Sequence, residues 1–571
     1  MKNSQLEKKV KQYIQLEQNK YFKDEAKKLL KENNKREIYN RFHKDLEFGT
    51  AGIRNIIGAG TCYINNYNVK KVSQGIANYI LEITKNPKVV ISYDSRYFSK
   101  EFAYDTAKIF AANKFKVHIY KNSRPTPQLS YTVRKLECDI GIMITSSHNT
   151  KEYNGYKVYW KGGAQIIPPH DIQITLKIKQ TSNIMNILTN RASINQKQTI
   201  IEINDEIDMQ YIEKINEEFP DFNEKSKKIT LKVAYTPLHG IGGTIINKLF
   251  KGSKVELITE PSQINPDPEF PTIKYPNPED QSAMSRVIKL AKNKNCDIAF
   301  ATDPDADRMG IAFNETQEKW KILNGNQISC ILMNYLLSRE DNPQNAFVIT
   351  SFVTTPMLDK IAKKYNSTLF RTYTGFKWIG NLIDEIKKKE PNKKFILGCE
   401  ESHGYLIGNA TRDKDAFSAI KGICYLMFEL KENQTTIGNY LQEMYKEFGY
   451  YKDFVINKSF KGTKGDFLRE ELISKFRKEN LKKFANINII KKLDYKTLKE
   501  TDIKGNVYNM TKYKHTTNAI KFLLENESEV TIRPSGTEPK IKFYVSIYSK
   551  YEQKNNIFDI MNDIKMEIEK Y

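Results

Sequence analysis

KVVISYDS (88–95) and KVHIYKN (116–122) are short, β-rich apolar runs, and the segment between them, KEFAYDTAKIFAANKF (100–115), carries apolar residues at helical spacing. CDIGIMIT (138–145) is a further apolar run. Strands that alternate with helices at this spacing are typical of βαβ units around a mostly parallel sheet. This stretch therefore predicts an α/β domain.

The same alternation returns twice along the chain. LKVAYTPLHG (231–240) precedes two further apolar runs, KVELITE (254–260) and CDIAFATD (296–303), and a third group of runs lies in 345–402. The repetition predicts three related α/β domains with mixed, mostly parallel sheets, although chance similarity between buried strands is the alternative. From about residue 456, strand-like runs and a final helix over 552–571 predict a C-terminal α+β domain. We place the boundaries at 1–205, 206–328, 329–455 and 456–571.

Composition excludes several classes of protein. The chain has 571 residues, enough for about four domains, and 91 Lys and Arg against 68 Asp and Glu give a formal charge of +23. The lysines are spread from end to end without an aromatic-interleaved stripe, so we expect no nucleic-acid partner. The six cysteines stand singly, which argues against a disulfide framework or a zinc site. Without a signal-peptide-like run or an apolar stretch of ~18 residues, we expect a cytoplasmic protein with no membrane partner.

The clearest candidates for a metal site and for a nucleophile lie in two loops that follow apolar strands. ATDPDADRMG (301–310) places Asp303, Asp305 and Asp307 at alternate positions, an arrangement of oxygen ligands that suits Mg²⁺. An EF-hand would need glycine and glutamate where Arg308 and Asn314 stand, and a solvated acidic turn would suffer carboxylate repulsion. The other loop, TSSHN (145–149), offers a candidate nucleophile, but by itself a polar helix cap is the favoured interpretation.

Two more loops have the composition of binding sites. LGCEESHGYLIG (397–408) could grip sugar hydroxyls through its paired acids, and a strand-to-helix turn with an acidic start is an equal alternative. TIRPSGTEPKIKF (531–543) concentrates a guanidinium, hydroxyls and backbone N–H groups, which favours phosphate over a plain turn. No Walker A, protein-kinase or Rossmann motif is present, so nucleotide-driven transfer lacks its usual parts.

Taken together and in order, the loops resemble those of the α-D-phosphohexomutases, most closely the longer phosphoglucomutases. The resemblance spans nearly the whole chain and rests on FGTAGIR (48–54), YDSRYFS (93–99), RPTPQLS (124–130), TSSHN with NGYKVYW, YTPLHGIGG (235–243), PNPED (276–280), DPDADR, LNGNQ (323–327), TGFKWIG (374–380), EESHG, RDKDA (412–416) and RPSGTEP. It implies four domains around a central cleft, which carry in turn the phosphoserine, metal, sugar and phosphate loops.

The resemblance also implies roles for particular residues. Ser147 would carry the phosphoryl group and, with the three aspartates, hold one Mg²⁺ per chain. The implied catalytic charges are His148, Lys157, Arg54 and Lys414. The implied substrate-binding residues are Arg308, Glu400, Ser402, Thr374, Gly375, Arg533, Ser535, Gly536 and Thr537. We expect Lys157 or Lys414 to accept the sugar hydroxyl proton, with a pKa lowered by neighbouring cations and burial.

The resemblance further implies conversion of glucose 1-phosphate to glucose 6-phosphate, with glucose 1,6-bisphosphate as intermediate and activator. The partners would be small sugar phosphates, and the chain would act as a monomer. Phosphopentomutase and phosphomannomutase are the enzymatic alternatives, a bisphosphate synthase ranks lower, and a sugar-phosphate sensor is the non-enzymatic one. Two departures stand out. Thr150 replaces a common proline and should loosen the serine loop. His403 and Gly404 are reversed relative to one subgroup, so we assign no acid/base role to His403.

Overall fold

The computed structural model describes residues 3–49, 52–181, 200–316, 319–460, 462–479, 481–535 and 540–571. The chain forms two compact units, one made of Met1–Ile328 with Gly375–Gln434 and the other of Ser329–Thr374 with Thr435–Tyr571. Within the described ranges, none of the helices combines the length and the apolar character needed to cross a bilayer.

The first sheet contains the stretch that predicted the fold. Its strands lie in the order Gly52–Ile56, Tyr153–Trp160, Ile140–Ile144, Lys88–Tyr93, Lys116–Tyr120 and Ile200–Ile203. The last four strands pair in parallel, whereas Tyr153–Trp160 pairs antiparallel with both of its neighbours. The surrounding helices are Asn3–Leu16, Lys20–Lys31, Lys35–Phe42, Asn66–Ile83, Ser99–Ala112, Thr126–Lys135 and His170–Gln180. Their apolar faces and the sheet bury one continuous hydrophobic core.

The second sheet repeats this plan. Its order is Lys319–Leu323, Met309–Thr316, Ile298–Thr302, Leu231–Thr236 and Val255–Thr259. The pairings of Leu231–Thr236 are parallel and those of Met309–Thr316 antiparallel, so the sheet is mixed. Its helices are Glu206–Asn216, Phe222–Lys228, Gly243–Leu249 and Gln281–Asn293. Ile298–Thr302 is buried along its whole length, as a central strand of an α/β sheet should be.

The third α/β region contains a parallel pair, Ala346–Ser351 with Thr368–Thr372, and an antiparallel pair, Lys394–Glu400 with Gly404–Ile407. Its helices are Gly325–Ser338, Met357–Lys364, Phe376–Lys389, Ala416–Glu432 and Ile437–Phe448, with a 3₁₀ turn at Pro343–Asn345. The predicted fold class of three α/β domains with mixed sheets is confirmed.

The C-terminal region is an antiparallel sheet packed against helices. Its strands lie in the order Tyr450–Ser459, Lys540–Ser549, Glu529–Pro534, Ile520–Leu524, Ile487–Asp494, Lys499–Asp502 and Val507–Asn509, and Lys483–Phe484 also pairs with Ile487–Asp494. The helices are Gly462–Lys478 and Ile557–Glu569, with a 3₁₀ turn at Tyr551–Asn556. The predicted α+β character holds, and the first strand begins at Tyr450, earlier than the expected start near 456.

Candidate active site

The serine and aspartate loops meet at the carboxyl ends of two buried strands. Ser147 follows Ile140–Ile144, and Asp303 follows Ile298–Thr302. The Ser147 hydroxyl donates a hydrogen bond of 2.7 Å to Asp303 Oδ2, and 1% or less of either residue is exposed. Thr126, which begins a helix of the first domain, donates to Asp305 Oδ2 at 2.7 Å. The residues predicted from separate motifs therefore form one cluster at the strand ends.

The three aspartates fit a small divalent cation. One carboxylate oxygen from each lies within 4.8 Å of the others, and all three side chains are buried. Among the described residues, Asp305 Oδ1 and Asp307 Oδ1 accept no hydrogen bond although they are buried. Burial, and then the Asp305 and Asp307 carboxylates, raise the pKa of Asp303 well above its ordinary value. Orphaned oxygens beside crowded carboxylates are what a bound Mg²⁺ would satisfy.

Two lysines pair with this cluster. Lys157 Nζ lies 2.6 Å from Asp305 Oδ2 and 3.1 Å from Asp307 Oδ2, and Lys414 Nζ lies 3.0 Å from Asp307 Oδ2. Burial alone would lower the lysine pKa values, but the carboxylates outweigh it and raise both. The expectation of a lowered lysine pKa is therefore wrong in direction. The same ion pairs hold the Asp307 pKa well below its ordinary value, against the effect of burial.

Ser147 adopts a strained backbone conformation. Its φ is +53°, a left-handed value that costs a non-glycine residue about 1–2 kcal/mol. Ala306 in the aspartate loop (301–310) and His403 in the loop of Glu400 (397–408, the glutamate loop) share this feature, with φ of +53° and +61°. Strain of this kind persists only where surrounding contacts enforce it, and it concentrates at functional sites.

His148 and Arg54 lie near the serine loop. His148 Nδ1 is 3.2 Å from Ser147 Oγ. Burial first, and then the positive charges of Arg308 and Arg54, lower the pKa of His148 well below its ordinary value. Arg54 is exposed on the edge strand of the first sheet.

The glutamate loop contacts the aspartate loop. Met309 donates its backbone N–H to His403 O at 3.1 Å, and Arg308 and Gly404 form an isolated β-bridge. His403 is buried, with Nδ1 3.1 Å from the Met309 carbonyl. Arg308 Nη1 pairs with Glu279 at 2.9 Å, a residue of the PNPED motif.

Glu400 is the buried acid of this loop. Its Oε1 accepts a 2.6 Å hydrogen bond from the backbone N–H of Gly375, whose φ of +109° favours glycine. Burial, and then the adjacent Glu401 carboxylate, raise the pKa of Glu400 to about 7. Ser402 is half-buried.

The remaining predicted residues belong to the second unit. Thr374 follows the strand Thr368–Thr372, and Arg533 lies in the strand Glu529–Pro534. Ser535 donates its backbone N–H to Lys540 O at 2.8 Å across the loop. Gly536 and Thr537 lie outside the described residues.

Sequence reasoning missed two residues that support the site. Arg96 is fully buried and donates to backbone carbonyls of the serine loop. Asp413 lies 3.0 Å from Lys414 Nζ and accepts hydrogen bonds from Tyr159 at 2.6 Å and Gln165 at 2.8 Å. Both lie inside quoted motifs, YDSRYFS and RDKDA. Asp413 could have been found as the charged neighbour of Lys414, whereas no candidate site residue adjoins Arg96 in the sequence.

Comparison with known proteins identifies the family. Residues 45–185, 209–316 and 324–448 match phosphoglucomutase/phosphomannomutase alpha/beta/alpha domains I, II and III. The chain belongs to the phosphoglucomutase/phosphomannomutase family. Its resemblance to the phosphohexomutases is thereby confirmed, and the chain is an isomerase of that class.

Several members of this family are close in sequence or fold. Phosphoglucomutases of Staphylococcus epidermidis and Staphylococcus haemolyticus are both 35% identical, over 88% and 92% of this chain and 90% and 94% of their own lengths. A Schizosaccharomyces pombe protein named "Probable phosphoribomutase" is 32% identical over 98% of this chain and 97% of its own. The structure of parafusin, a Paramecium phosphoglucomutase, superimposes with a TM-score of 0.67 at 20% identity, covering 92% of this chain and 94% of that one.

Proposed function

We propose that this enzyme interconverts glucose 1-phosphate and glucose 6-phosphate, with Ser147 as the phosphoryl carrier. The observation that carries the proposal is the contact between the Ser147 hydroxyl and Asp303, 2.7 Å apart within a buried three-carboxylate cluster. Phosphoryl transfer depends on positioning and on neutralising phosphoryl charge. A serine fixed beside a candidate cation site meets both needs.

The reaction would proceed in two transfers. The phosphorus–oxygen bond to Ser147 breaks as one forms to the free sugar hydroxyl, and the hydroxyl proton ends on the released Ser147 Oγ, which gives glucose 1,6-bisphosphate and free Ser147. The other phosphate of this intermediate then returns to Ser147. Asp303, Asp305, Asp307 and the serine phosphate would hold one Mg²⁺, which supplies positive charge to the phosphoryl oxygens. Lys157 and Lys414 place two further cations at the same cluster.

The second half of the proposal concerns the sugar. Glu400 and Ser402 would accept and donate hydrogen bonds to its hydroxyls, and the loop of Arg533 and Ser535 would bind the phosphate that does not react. Near Ser147 the site also contains the imidazole of His148 and the guanidinium groups of Arg54 and Arg308. Cytoplasmic location, a monomeric state and one metal per chain stay predictions of the sequence.

Side-by-side kcat/KM values for glucose, mannose and ribose 1-phosphates, with Mg²⁺ and a trace of the matching bisphosphate, test the proposal. We expect glucose 1-phosphate to be preferred and Ser147→Ala to lose at least ~10⁴-fold, as expected on removal of a covalent carrier. Intact mass should show one phosphate on the wild type and none on the variant. Turnover by Ser147→Ala close to that of the wild type would refute the mechanism.

A phosphopentomutase is the second candidate. It is favoured by the similarity to the fission-yeast protein, which extends over nearly the whole of both chains. Preference for ribose 1-phosphate would keep the Ser147 chemistry and change the substrate. Preference for mannose 1-phosphate would indicate a phosphomannomutase. Absence of turnover with all three sugar phosphates would favour a sugar-phosphate sensor.

A further inference from the structure

The backbone of the serine loop is held by one side chain. Arg96 Nη2 donates to the carbonyl of Ser147 at 2.6 Å and also to that of Asn149. Its Nη1 donates to the carbonyls of Thr150 at 2.8 Å and Tyr153 at 3.0 Å. Both terminal nitrogens of the guanidinium therefore donate hydrogen bonds to backbone carbonyl oxygens of the segment 147–153.

Contacts with other residues hold Arg96 in place. Its Nε lies 3.3 Å from Asp94 Oδ2, and neither side chain exposes any surface. Asp94 Oδ1 accepts hydrogen bonds from the Arg96 backbone N–H at 3.0 Å and the Ser99 hydroxyl at 2.7 Å. The guanidinium also lies 5.1 Å from the centre of the Phe270 ring. Burying an ion pair costs several kcal/mol per charge before compensation, and these contacts offset part of that cost.

Other contacts of the loop act on single groups: Ser147 donates its backbone N–H to Thr145 Oγ1 at 2.9 Å and its hydroxyl to Asp303 at 2.7 Å. Lys151 pairs with Glu269 at 2.6 Å, but these side chains are 46% and 48% exposed, and pairs of this kind contribute about 0–1 kcal/mol. Thr150 stands where a proline would stiffen the chain, yet its carbonyl is one of the four that Arg96 binds. Arg96 binds four backbone carbonyls of this segment, one of them that of Ser147, whose φ is left-handed.

We propose that Arg96 is a positioning residue that fixes the backbone of 147–153 and thereby aims Ser147 Oγ at the phosphoryl group. The catalytic part of this inference rests on the proposed function. Arg96 touches neither the reacting atoms nor the aspartates, and it acts through the loop. Lysine cannot replace it, because one ammonium cannot span carbonyls on both sides of the fork.

The test compares Arg96→Lys with Arg124→Lys, a matched variant of another buried arginine. Arg124 is 5% exposed and pairs with Asp208 at 2.8 Å, and its guanidinium hydrogen bonds go to Asp208, Asp205 and the Ser123 carbonyl, none of which belongs to the serine loop. Three readouts are taken on the full chain with Mg²⁺: melting temperature, kcat and KM for glucose 1-phosphate, and amide hydrogen exchange of peptides spanning 145–153.

Arg96→Lys should lower kcat about 10²-fold, the loss expected from misplacing a reacting group by about 1 Å, with KM changed less than about three-fold. Its 145–153 peptides should exchange at least ten-fold faster. Arg124→Lys should lose melting temperature while keeping kcat and loop exchange within about three-fold of the wild type. A milder variant, Asp94→Asn, should show the same pattern with smaller changes if Arg96→Lys folds poorly.

Unchanged loop exchange in both Arg96→Lys and Asp94→Asn would overturn the proposal, whatever the turnover. Equal losses of kcat in Arg96→Lys and Arg124→Lys would also overturn it, because they would reflect general destabilisation. A wild type without mutase activity would contradict the proposed function alone, since the exchange measurement still decides whether Arg96 holds the loop.

Discussion

The two acidic loops of the first unit, 303–307 and 400–402, shift the pKa values of Asp307 and Glu400 in opposite directions. In 303–307, Asp307 is paired with two lysines and its pKa stays well below the ordinary range in spite of burial. In 400–402, burial and the adjacent Glu401 carboxylate raise the pKa of Glu400 to about 7, although the Gly375 amide donates a hydrogen bond to it. The lysines keep the charge on Asp307, as a cation site requires, whereas burial and the two neighbouring carboxylates raise the pKa of Asp303 in the same loop. The second loop gives Glu400 a pKa near neutral pH, so that a hydrogen bond with a sugar hydroxyl can decide whether the carboxyl group is protonated.

The largest effect should come from the 303–307 loop. Asp305→Asn or Asp307→Asn removes a negative ligand and one of the two carboxylates that pair with Lys157, so kcat should fall about 10²–10³-fold, the range for losing one electrostatic group from a transition state. Mg²⁺ titration of activity should show a higher half-saturating concentration, and chelation of the metal should abolish turnover of the wild type.

Asp297→Asn is the matched control for this prediction. Asp297 stands just before the strand Ile298–Thr302, at the end opposite to Asp303, and pairs with Lys431 at 2.8 Å. We expect its kcat and Mg²⁺ dependence to stay within about three-fold of the wild type, because its partners, Lys431 and the Lys232 backbone N–H, lie outside the 303–307 loop. Similar losses in both variants would mean that the 303–307 loop has no special role.

The chemistry of these loops could be predicted from sequence because it is local. Asp303, Asp305 and Asp307 lie within five residues after an apolar strand, so their meeting needs no knowledge of the fold. The role of Arg96 could not be predicted, since its carbonyl partners lie 51 to 57 residues further along the chain. For the same reason the lysine pKa values were predicted in the wrong direction, because Lys157 meets Asp305 across 148 residues.

The fold shows the same division between local and long-range information. Apolar strands such as Lys88–Tyr93 are visible in the sequence because both faces are buried. In the C-terminal domain, the polar strands Lys499–Asp502 and Val507–Asn509 were missed, since Val507–Asn509 is exposed at every position and carries no alternation. The helix Gly462–Lys478, which adds residues to the buried core of this domain, was missed as well.

The next effect should come from Glu400. Glu400→Gln keeps the shape of the side chain and removes its charge, so kcat/KM for glucose 1-phosphate should fall about 10- to 100-fold, as for the loss of a charged hydrogen bond. The control is Glu401→Gln, a neighbour that is half-buried. Glu401→Gln should change kcat/KM by less than about three-fold. Equal effects would show that the loop senses only its net charge.

Glu400 should also make stability depend on pH. Its raised pKa means that the folded chain binds this proton more tightly than the unfolded chain, so the contribution is complete below about pH 4.5 and is lost as pH rises through about 7. Glu400→Gln behaves like the protonated acid at every pH. The two proteins should have similar melting temperatures at or below about pH 4.5, and at pH 8 the free energy of unfolding of the variant should be higher by about 3 kcal/mol. A difference in stability between the two proteins that does not change with pH would contradict the raised pKa of Glu400.

The smallest effect should come from Ser402, the half-buried hydroxyl of the same loop. Because water can replace part of its interaction with the sugar, Ser402→Ala should raise KM by about three- to ten-fold, the cost of one neutral hydrogen bond, and leave kcat nearly unchanged. Asp305→Asn should do the reverse and act mainly on kcat, since the 303–307 loop serves the transferring phosphoryl group. Initial rates over a range of glucose 1-phosphate concentrations separate the two patterns. If Ser402→Ala lowered kcat as strongly as Asp305→Asn does, the division of labour between the two loops would be wrong, and both would have to act on the transfer step.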